Sequence, residues 1–354
     1  GENWWKQEVG GIDGVPPTAF VNDIRADLFD ARIVYAALDN HKFGDYRPYI
    51  IKSTDAGRSW TSIASDSPEN TMVWRLVQDH VKKDLLFAAT EYGIYFTPDG
   101  GNKWIKLKGG VPTISFRDLT IQRREDDLVG ASFGRGFFIL DDYSPLREVG
   151  TNGLADAAIL FPVKETWLYV PKSILVGGSG ASQYVAENPP LGAIFSYYLP
   201  EDIPSLKAER QKKEKKLNKE GQDIPFPGWD KLDAEKLQKD PEIRLIIKDA
   251  GGNLVNIVVG KASKGIHRVS WNLRSASKSG IEWGEERSSD GPMIMAGTYT
   301  VELLKSIDGQ LTKLSGPQRF EVKPLYSGAL EGASDAEKMA FKKEFEAFQQ
   351  DYQA

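Results

Sequence analysis

The 354-residue chain contains no cysteine. That removes disulfide staples, thiolate metal sites and cysteine nucleophiles, and it leaves the redox compartment unreadable. Histidine is nearly as scarce: His41, His80 and His267 are the three present, too scattered for an H-E-x-x-H zinc site or a histidine cluster. A basic surplus is also missing. Forty-five Lys and Arg stand against 50 Asp and Glu, a net charge of −5, so the chain lacks the footprint of a phosphate-backbone binder and nucleic acid is not expected as a partner. No run approaches the ~18 apolar residues of a membrane span, and residues 1–10 lack the charged-then-apolar order of a signal peptide. With no Ser/His/Asp set, phosphate loop or metal motif, neither a metal nor any other cofactor is expected.

What is present points to β-structure. Thirty-four Gly, 9 Trp and 13 Tyr suit glycine turns alternating with aromatic-faced strands, and 40% hydrophobic residues suffice for an ordinary core in about two domains. Residues 1–145 give short strand candidates at 33–37, 49–53, 72–78, 85–90, 94–97, 104–107, 117–122, 128–131 and 137–140, with no helical period. Aligning the turns exposes a repeat: Ser53-Thr54-Asp55-Ala56-Gly57-Arg58-Ser59-Trp60 matches Thr97-Pro98-Asp99-Gly100-Gly101-Asn102-Lys103-Trp104. In Ser/Thr-x-Asp-x-Gly-x-x-Trp the hydroxyl and carboxylate can bond backbone N–H groups inside the turn, Gly takes positive φ, and Trp covers it. Gly57 and Gly101 lie 44 residues apart, the length of a four-stranded propeller blade of about 40–50 residues. Gly1-Glu2-Asn3-Trp4 reads as the second half of an earlier copy. About three blades are therefore expected where closed rings have about 4–8, so the propeller should be completed by an upstream part of the polypeptide or by a second chain.

Residues 146–190 read as a connector with a Gly/Ser-rich stretch at 177–180. In residues 191–325, strand candidates at 193–198, 243–248, 254–259, 266–273, 298–305, 311–314 and 319–322 suggest an immunoglobulin-like sandwich with Trp271 in its core. An insertion at 201–240 carries ten basic and ten acidic side chains. It reads as an exposed helical or partly disordered segment, and the balance argues against an anionic-membrane patch. Residues 326–354 turn helical behind the capping box Ser334-Asp335-Ala336-Glu337, with Phe341, Phe345, Phe348 and Tyr352 on one face.

At several motifs the chain resembles the Asp-box (BNR-repeat) propellers, which include sialidases, xyloglucan-active glycosidases and sortilin-type receptors. More closely, it is similar to the sortilin-like propeller proteins of bacteria often labelled glycosyl hydrolases. The carrying residues are Asp39-Asn40-His41-Lys42, residues 52–60, Asp79-His80, Gly110-Val111-Pro112-Thr113, residues 121–125, Phe133-Gly134-Arg135-Gly136-Phe137 and residues 140–147. Residues 266–273 and 295–301 resemble the FlgD-like immunoglobulin domain that follows such propellers. The resemblance implies an all-β, multi-bladed protein that is exported to the periplasm, outer membrane or exterior. It implies no particular reaction. Without cysteine there are no cysteine-rich modules of the receptor type, and the Phe-Arg-Ile-Pro sequence of sialidases is missing.

The turn residues Ser53, Asp55, Gly57, Trp60, Thr97, Asp99, Gly101 and Trp104 read as structural, since a carboxylate spent on backbone N–H groups is a poor catalyst. Binding candidates are Arg135, freed by two glycines for close approach; Glu91 and Tyr92, at the matching position one blade earlier; and His41 with Asp39, in a polar loop, 39–48, longer than a hairpin requires. A glycosidase needs two carboxyls about 5–10 Å apart, and Glu91, Asp39, Asp141 and Asp142 are the local acids. Trp5, Trp74 and Trp104 read as core rather than sugar platforms. The favoured function is extracytoplasmic binding or assembly with a protein or glycan ligand. The alternatives are a glycoside hydrolase whose cleft uses further blades and a subunit of an outer-membrane or secretion complex.

Overall fold

The computed structural model describes residues 6–67, 69–150, 153–154, 156–171, 186, 188–277, 290–326 and 332–353. Residues 1–5, with the half-turn and Trp5, and the stretch 177–180 lie outside the described residues. The chain divides into two compact units, Gly1–Leu154 and Ala155–Ala354. The fold is all-β: propeller blades in the first unit and a β-sandwich in the second.

Three antiparallel meanders make the first unit. The first sheet runs β1 (Phe20–Ala26), β2 (Val34–Asn40), β3 (Asp45–Ser53) and β4 (Thr61–Ser62). The second runs β5 (Val73–Gln78), β6 (Leu86–Thr90), β7 (Gly93–Thr97) and β8 (Ile105–Lys106), and the third has β9 (Phe116–Gln122), β10 (Asp127–Ser132) and β11 (Phe137–Leu140). The first strands lie side by side, β1 against β5 and β5 against β9, while the sheets stack face to face. This is the radial packing of propeller blades.

Stacking explains the burial pattern. Tyr35, Ala37 and Ile50 of the first sheet pack on Val73, Leu76, Leu86 and Ala88 of the second. Phe87, Ala89, Ile94 and Phe96 on the other face of that sheet pack on Phe116, Leu119 and Leu128 of the third. Strands covered on both faces lose the period-2 alternation, and every residue of β6 and β7 is buried. In β11 the alternation returns: Phe138 and Leu140 face the core, whereas Phe137 and Ile139 are 76% and 60% exposed.

The two repeat turns close in the same way. Ser53 Oγ accepts from the Gly57 N–H at 2.8 Å and Asp55 accepts from the Ser59 N–H at 2.9 Å. Thr97 Oγ1 accepts from Gly101 at 2.9 Å and Asp99 from the Lys103 N–H at 3.0 Å. Gly101 has φ +109°, and a Cβ there would sit 2.7 Å from Ile63 Cβ of the preceding blade. Trp104 Nε1 donates to the Ile63 carbonyl at 2.8 Å, so the second turn docks on the first blade.

Two differences from the sequence reading concern the first blade. β1, absent from the strand candidates above, has a polar centre at Asn22-Asp23. Asn22 donates to the Val73 carbonyl at 2.9 Å, and Asp23 accepts from Arg75 at 2.9 Å and from the Leu76 N–H at 3.0 Å. Arg75 reaches on to Asp118 at 2.7 Å, tying the three inner strands together. The supposed long loop 39–48 is a tight turn: Asn40 pairs with Asp45, and residues His41–Phe43 form one 3-10 turn between them.

In the second unit, β12 (Ile159–Leu160), β13 (Thr166–Leu168) and β14 (Ala193–Leu199) are followed by α1 (Leu206–Lys219) and α2 (Trp229–Leu237). Then come β15 (Glu242–Asp249), β16 (Leu254–Gly260), β17 (Gly265–Trp271), β18 (Arg274–Ala276), β19 (Asp290–Met293), β20 (Gly297–Ile307), β21 (Gln310–Pro324) and α3 (Asp335–Gln353). A five-stranded sheet, β13-β21-β20-β15-β16, shares a core with the three-stranded β12-β14-β17. Ile243, Leu245, Ile247, Val301 and Leu303 meet Phe195, Tyr197 and the fully buried Trp271 there. The candidates 311–314 and 319–322 form one strand, because the register shift opposite Val301–Leu304 absorbs Gly316-Pro317, which reads in sequence as a break. The insertion forms the α1–α2 hairpin. At α3, Ser334 Oγ accepts from the Glu337 N–H at 3.3 Å and the Glu337 carboxylate accepts from the Ser334 N–H at 2.7 Å.

Candidate functional site

In each of the three sheets the start of the first strand and the end of the second share one edge: Phe20 opposite Asp39, Val73 opposite Thr90, Phe116 opposite Ser132. Most of the binding candidates named from the sequence lie along this edge. Asp39, the penultimate residue of β2, is fully buried and bonds His41 Nδ1 through Oδ1. The His41 ring meets the edge of Trp74, centroids 6.0 Å apart, one blade on. Trp74 Nε1 donates to Glu91 Oε2 at 2.9 Å, and Ser115 Oγ donates to the same oxygen at 2.9 Å from the third blade. Arg117 lies 3.5 Å from that carboxylate. Its guanidinium carbon sits 3.7 Å over the Trp74 ring and 5.3 Å from the centre of Phe133.

Trp74 is thus the hub of a cluster spanning all three blades. Its indole is oriented by Glu91 and capped by a cation, and each contact crosses from one blade to a neighbour or from strand to turn. Around it the edge exposes Phe20, Phe43, Tyr46, Tyr92 and Phe133, between 42% and 72%. An aromatic rim beside a stacked guanidinium can engage the apolar faces of sugars or the side chains and carboxylates of a peptide. Both side-chain hydrogen bonds to the Glu91 carboxylate use it as an acceptor. Arg135 occupies the exposed turn after Phe133, between Gly134 and Gly136, both at positive φ, and has no partner among the described residues. Tyr92 occupies the corresponding turn of the second blade. Asp141 and Asp142 follow the end of β11, at the other edge, so the four acids do not gather. Trp74, Ser115 and Arg117 were not singled out as ligand-facing. The available signal was the repeat itself, since Trp74 and Arg117 hold the same position in the first strands of successive blades.

The opposite edge carries a second polar cluster. Asp79, His80 and Asp126 place potential ligand atoms within 4.8 Å of one another. A cation there would have to displace Arg147, which donates to Asp79 at 2.8 and 2.9 Å and to Asp126 at 2.6 and 3.1 Å. Tyr143 Oη donates to the buried Asp79 at 2.6 Å, and Lys82 Nζ reaches the carbonyls of Arg147 and Val149 at 2.7 and 2.9 Å. Burial pushes the Asp79 carboxyl up, yet the Arg147 and Tyr143 hydrogen bonds outweigh it and hold the group below its ordinary range. The arrangement is a tie between the second and third blades. The turn carboxylate Asp55 is likewise spent: the Ser59 N–H, the Ser59 hydroxyl and the Ser53 hydroxyl bring it down to about 2.

No family model matches the sequence, and no curated protein matches it. Among solved structures, the chain is similar to the extracellular domain of BT4673 from B. thetaiotaomicron, with 12% identity, 86% of this chain and 31% of that one covered, and a TM-score of 0.24. It is similar to PorZ, a surface component of the type-IX secretion system of Porphyromonas gingivalis, with 13% identity, 86% and 39% coverage and a TM-score of 0.29. An ancestral GH74 enzyme gives 12% identity, 85% and 35% coverage and a TM-score of 0.28. The chain thus spans less than two-fifths of the length of each. No helix among the described residues is long and apolar enough to cross a membrane.

Proposed function

We propose that this chain is an extracytoplasmic binding or assembly protein of the Asp-box, sortilin-like kind, whose blades present a recognition edge to a glycan or to another protein. The observation that carries the reading is the Arg117 guanidinium stacked on Trp74 and flanked by Phe133, inside a rim of exposed aromatic side chains. A guanidinium lying over an indole and bordering one carboxylate still has N–H groups to offer a further acceptor, which suits recognition more than bond cleavage. Glu91 is committed to Trp74 and Ser115, and Asp39 is buried against His41, so no observation favours the glycosidase reading. Export follows from the family resemblance of the turns and of residues 133–147. In the same reading the sandwich is the FlgD-like module, and the exposed Phe137 and Ile139 face of the third blade is covered by further propeller sheet, from the same polypeptide or a second chain.

The test is binding to glycan and peptide arrays, followed by titration of the best ligand against Arg117→Ala and Phe133→Ala. Both substitutions should weaken binding at least about 10-fold, the loss of one well-placed polar or aromatic contact. Unchanged affinity in both would defeat the assignment of this edge. Turnover of a bound glycan that disappears in Glu91→Gln would replace recognition with hydrolysis.

A further inference from the structure

The ten acidic and ten basic residues of 201–240 are not mixed evenly once folded. Seven of the basic residues and only two acidic ones, Glu209 and Glu214, lie on α1, a net of +5 for that helix. Arg210 is turned toward α2, donating to both oxygens of Glu235 at 2.7 and 2.9 Å and to Glu214 at 2.7 Å, so the two helices are clamped into one finger. Lys212, Lys215, Lys216 and Lys219 follow at the i, i+3, i+4, i+7 spacing of a single helical face. Among the described residues, the one ion pair these four make is Lys216 with Glu220, at 3.9 Å, while Glu209 borders the face three residues before Lys212. At the end of the finger the apolar pattern is reversed from that of a folded tip: Ile224, Phe226 and Trp229 are 48%, 63% and 70% exposed. Phe226 and Trp229 pack edge to face, centroids 5.2 Å apart, as one protruding aromatic pair.

A protruding aromatic pair is the shape that enters a soft apolar layer, whereas a protein partner that buried it would need a matching pocket. Tryptophan favours the headgroup level of a bilayer, and a lysine face beside it is attracted by negative surface charge. We propose that the α1–α2 hairpin is a membrane-docking finger that binds the surface of an anionic lipid bilayer, its lysine face on the headgroups and Phe226 and Trp229 in the interface. The evenness of charge along the sequence, which argued against such a patch, does not hold on α1, because eight of the ten acids fall outside it, Glu220, Asp223 and Asp230 at the tip among them.

The experiment is co-sedimentation of the whole chain with phosphatidylcholine vesicles with and without phosphatidylglycerol, at low and high salt, with tryptophan quenching by brominated lipid. Binding should require phosphatidylglycerol and weaken with salt. Replacing Lys212, Lys215, Lys216 and Lys219 together by Gln should lower partitioning on the order of 600-fold, at roughly 5-fold per lysine. F226S/W229S should lose the quenching. All six positions are on the exposed hairpin, and an unchanged circular dichroism spectrum and unfolding midpoint would confirm that the variants fold. No binding to anionic vesicles, equal binding by the lysine variant, or equal capture by a soluble acidic polymer without quenching would each overturn the proposal.

Discussion

Replacing Arg147 by methionine tests whether the Asp79 cluster ties two blades together. Methionine keeps much of the aliphatic stem and removes all four charge-assisted bonds to Asp79 and Asp126. Asp79 is fully buried and would be left with Tyr143 Oη and the N–H groups of Val81 and Lys82 as its donors. Breaking a buried pair by removing one partner costs about 3–5 kcal/mol. Because those donors remain, the lower end, about 3 kcal/mol, is expected. The pH dependence gives an independent check. In the native protein the Asp79 carboxyl lies below its ordinary value, so its contribution is fully present above the unfolded pKa and is lost as pH falls through the folded one. In R147M, burial is no longer outweighed by the guanidinium, the carboxyl titrates higher, and protonation relieves the isolated charge. The gap between variant and native protein should therefore narrow as pH falls from neutral toward about 4. Urea unfolding followed by tryptophan fluorescence at both pH values measures this. A loss under about 1 kcal/mol at neutral pH, the worth of a surface pair, or a gap that fails to narrow in acid, would refute the reasoning. D79N/R147M, which removes the isolated charge, should recover at least about 1 kcal/mol.

Three other outcomes follow from local geometry. Gly101→Ala forces a Cβ at φ +109° to within 2.7 Å of Ile63, so it should cost about 2–3 kcal/mol. Gly57→Ala, at φ +86° with its nearest neighbour 3.7 Å away, should cost only about 1 kcal/mol; equal costs would contradict the docking of the second turn on the first blade. Gly192→Ala would bring its Cβ to 1.9 Å from the Trp271 carbonyl oxygen at φ +104°. It should unfold or severely destabilise the sandwich, by about 4 kcal/mol or more, and a native unfolding midpoint would refute that. Proton NMR should find Asp55 titrating near 2: its stabilising bonds to the turn are present above the ordinary carboxylate pKa and disappear only as pH falls toward that value, whereas a titration near 4 would show the turn open in solution.

The turns at Ser53–Trp60 and Thr97–Trp104 could be read from the sequence because everything they need lies within eight residues. The strands between them were equally plain where both faces are buried. β1 was hidden for the opposite reason: Asn22 and Asp23 look like loop residues until Val73, Arg75 and Leu76 of the next blade are there to satisfy them. The same holds for the edge proposed for recognition. Glu91 and His41 could be named from their positions, but nothing local reveals that they meet on Trp74, or that Arg117, 43 residues further on, caps that indole. Residues on matching edges become neighbours only when successive sheets stack. The 201–240 insertion was legible as an exposed helical segment, but a charge count over it averages across two helices that present their residues separately.

On the proposed function, the two edges of the blades divide stability from recognition. On one edge, Asp79, Tyr143, Arg147 and Lys82 spend their donors and acceptors largely on one another and on carbonyls, and Tyr143 and Asp79 are closed off from water. On the other, Glu91 orients Trp74 and Arg117 while the surrounding aromatic rings stay exposed. A buried, saturated network resists change, and a half-exposed one has surface left to offer a ligand. The two kinds of substitution should therefore separate. R147M should lower the unfolding midpoint while leaving the affinity of the folded protein intact. Arg117→Ala should lower affinity while costing only about 0.5–2 kcal/mol of stability, the range of a cation–π contact. If both variants lost stability and binding in the same proportion, the division between edges would be wrong, and the blades would be acting as one cooperative structure in which no surface is set aside for a partner.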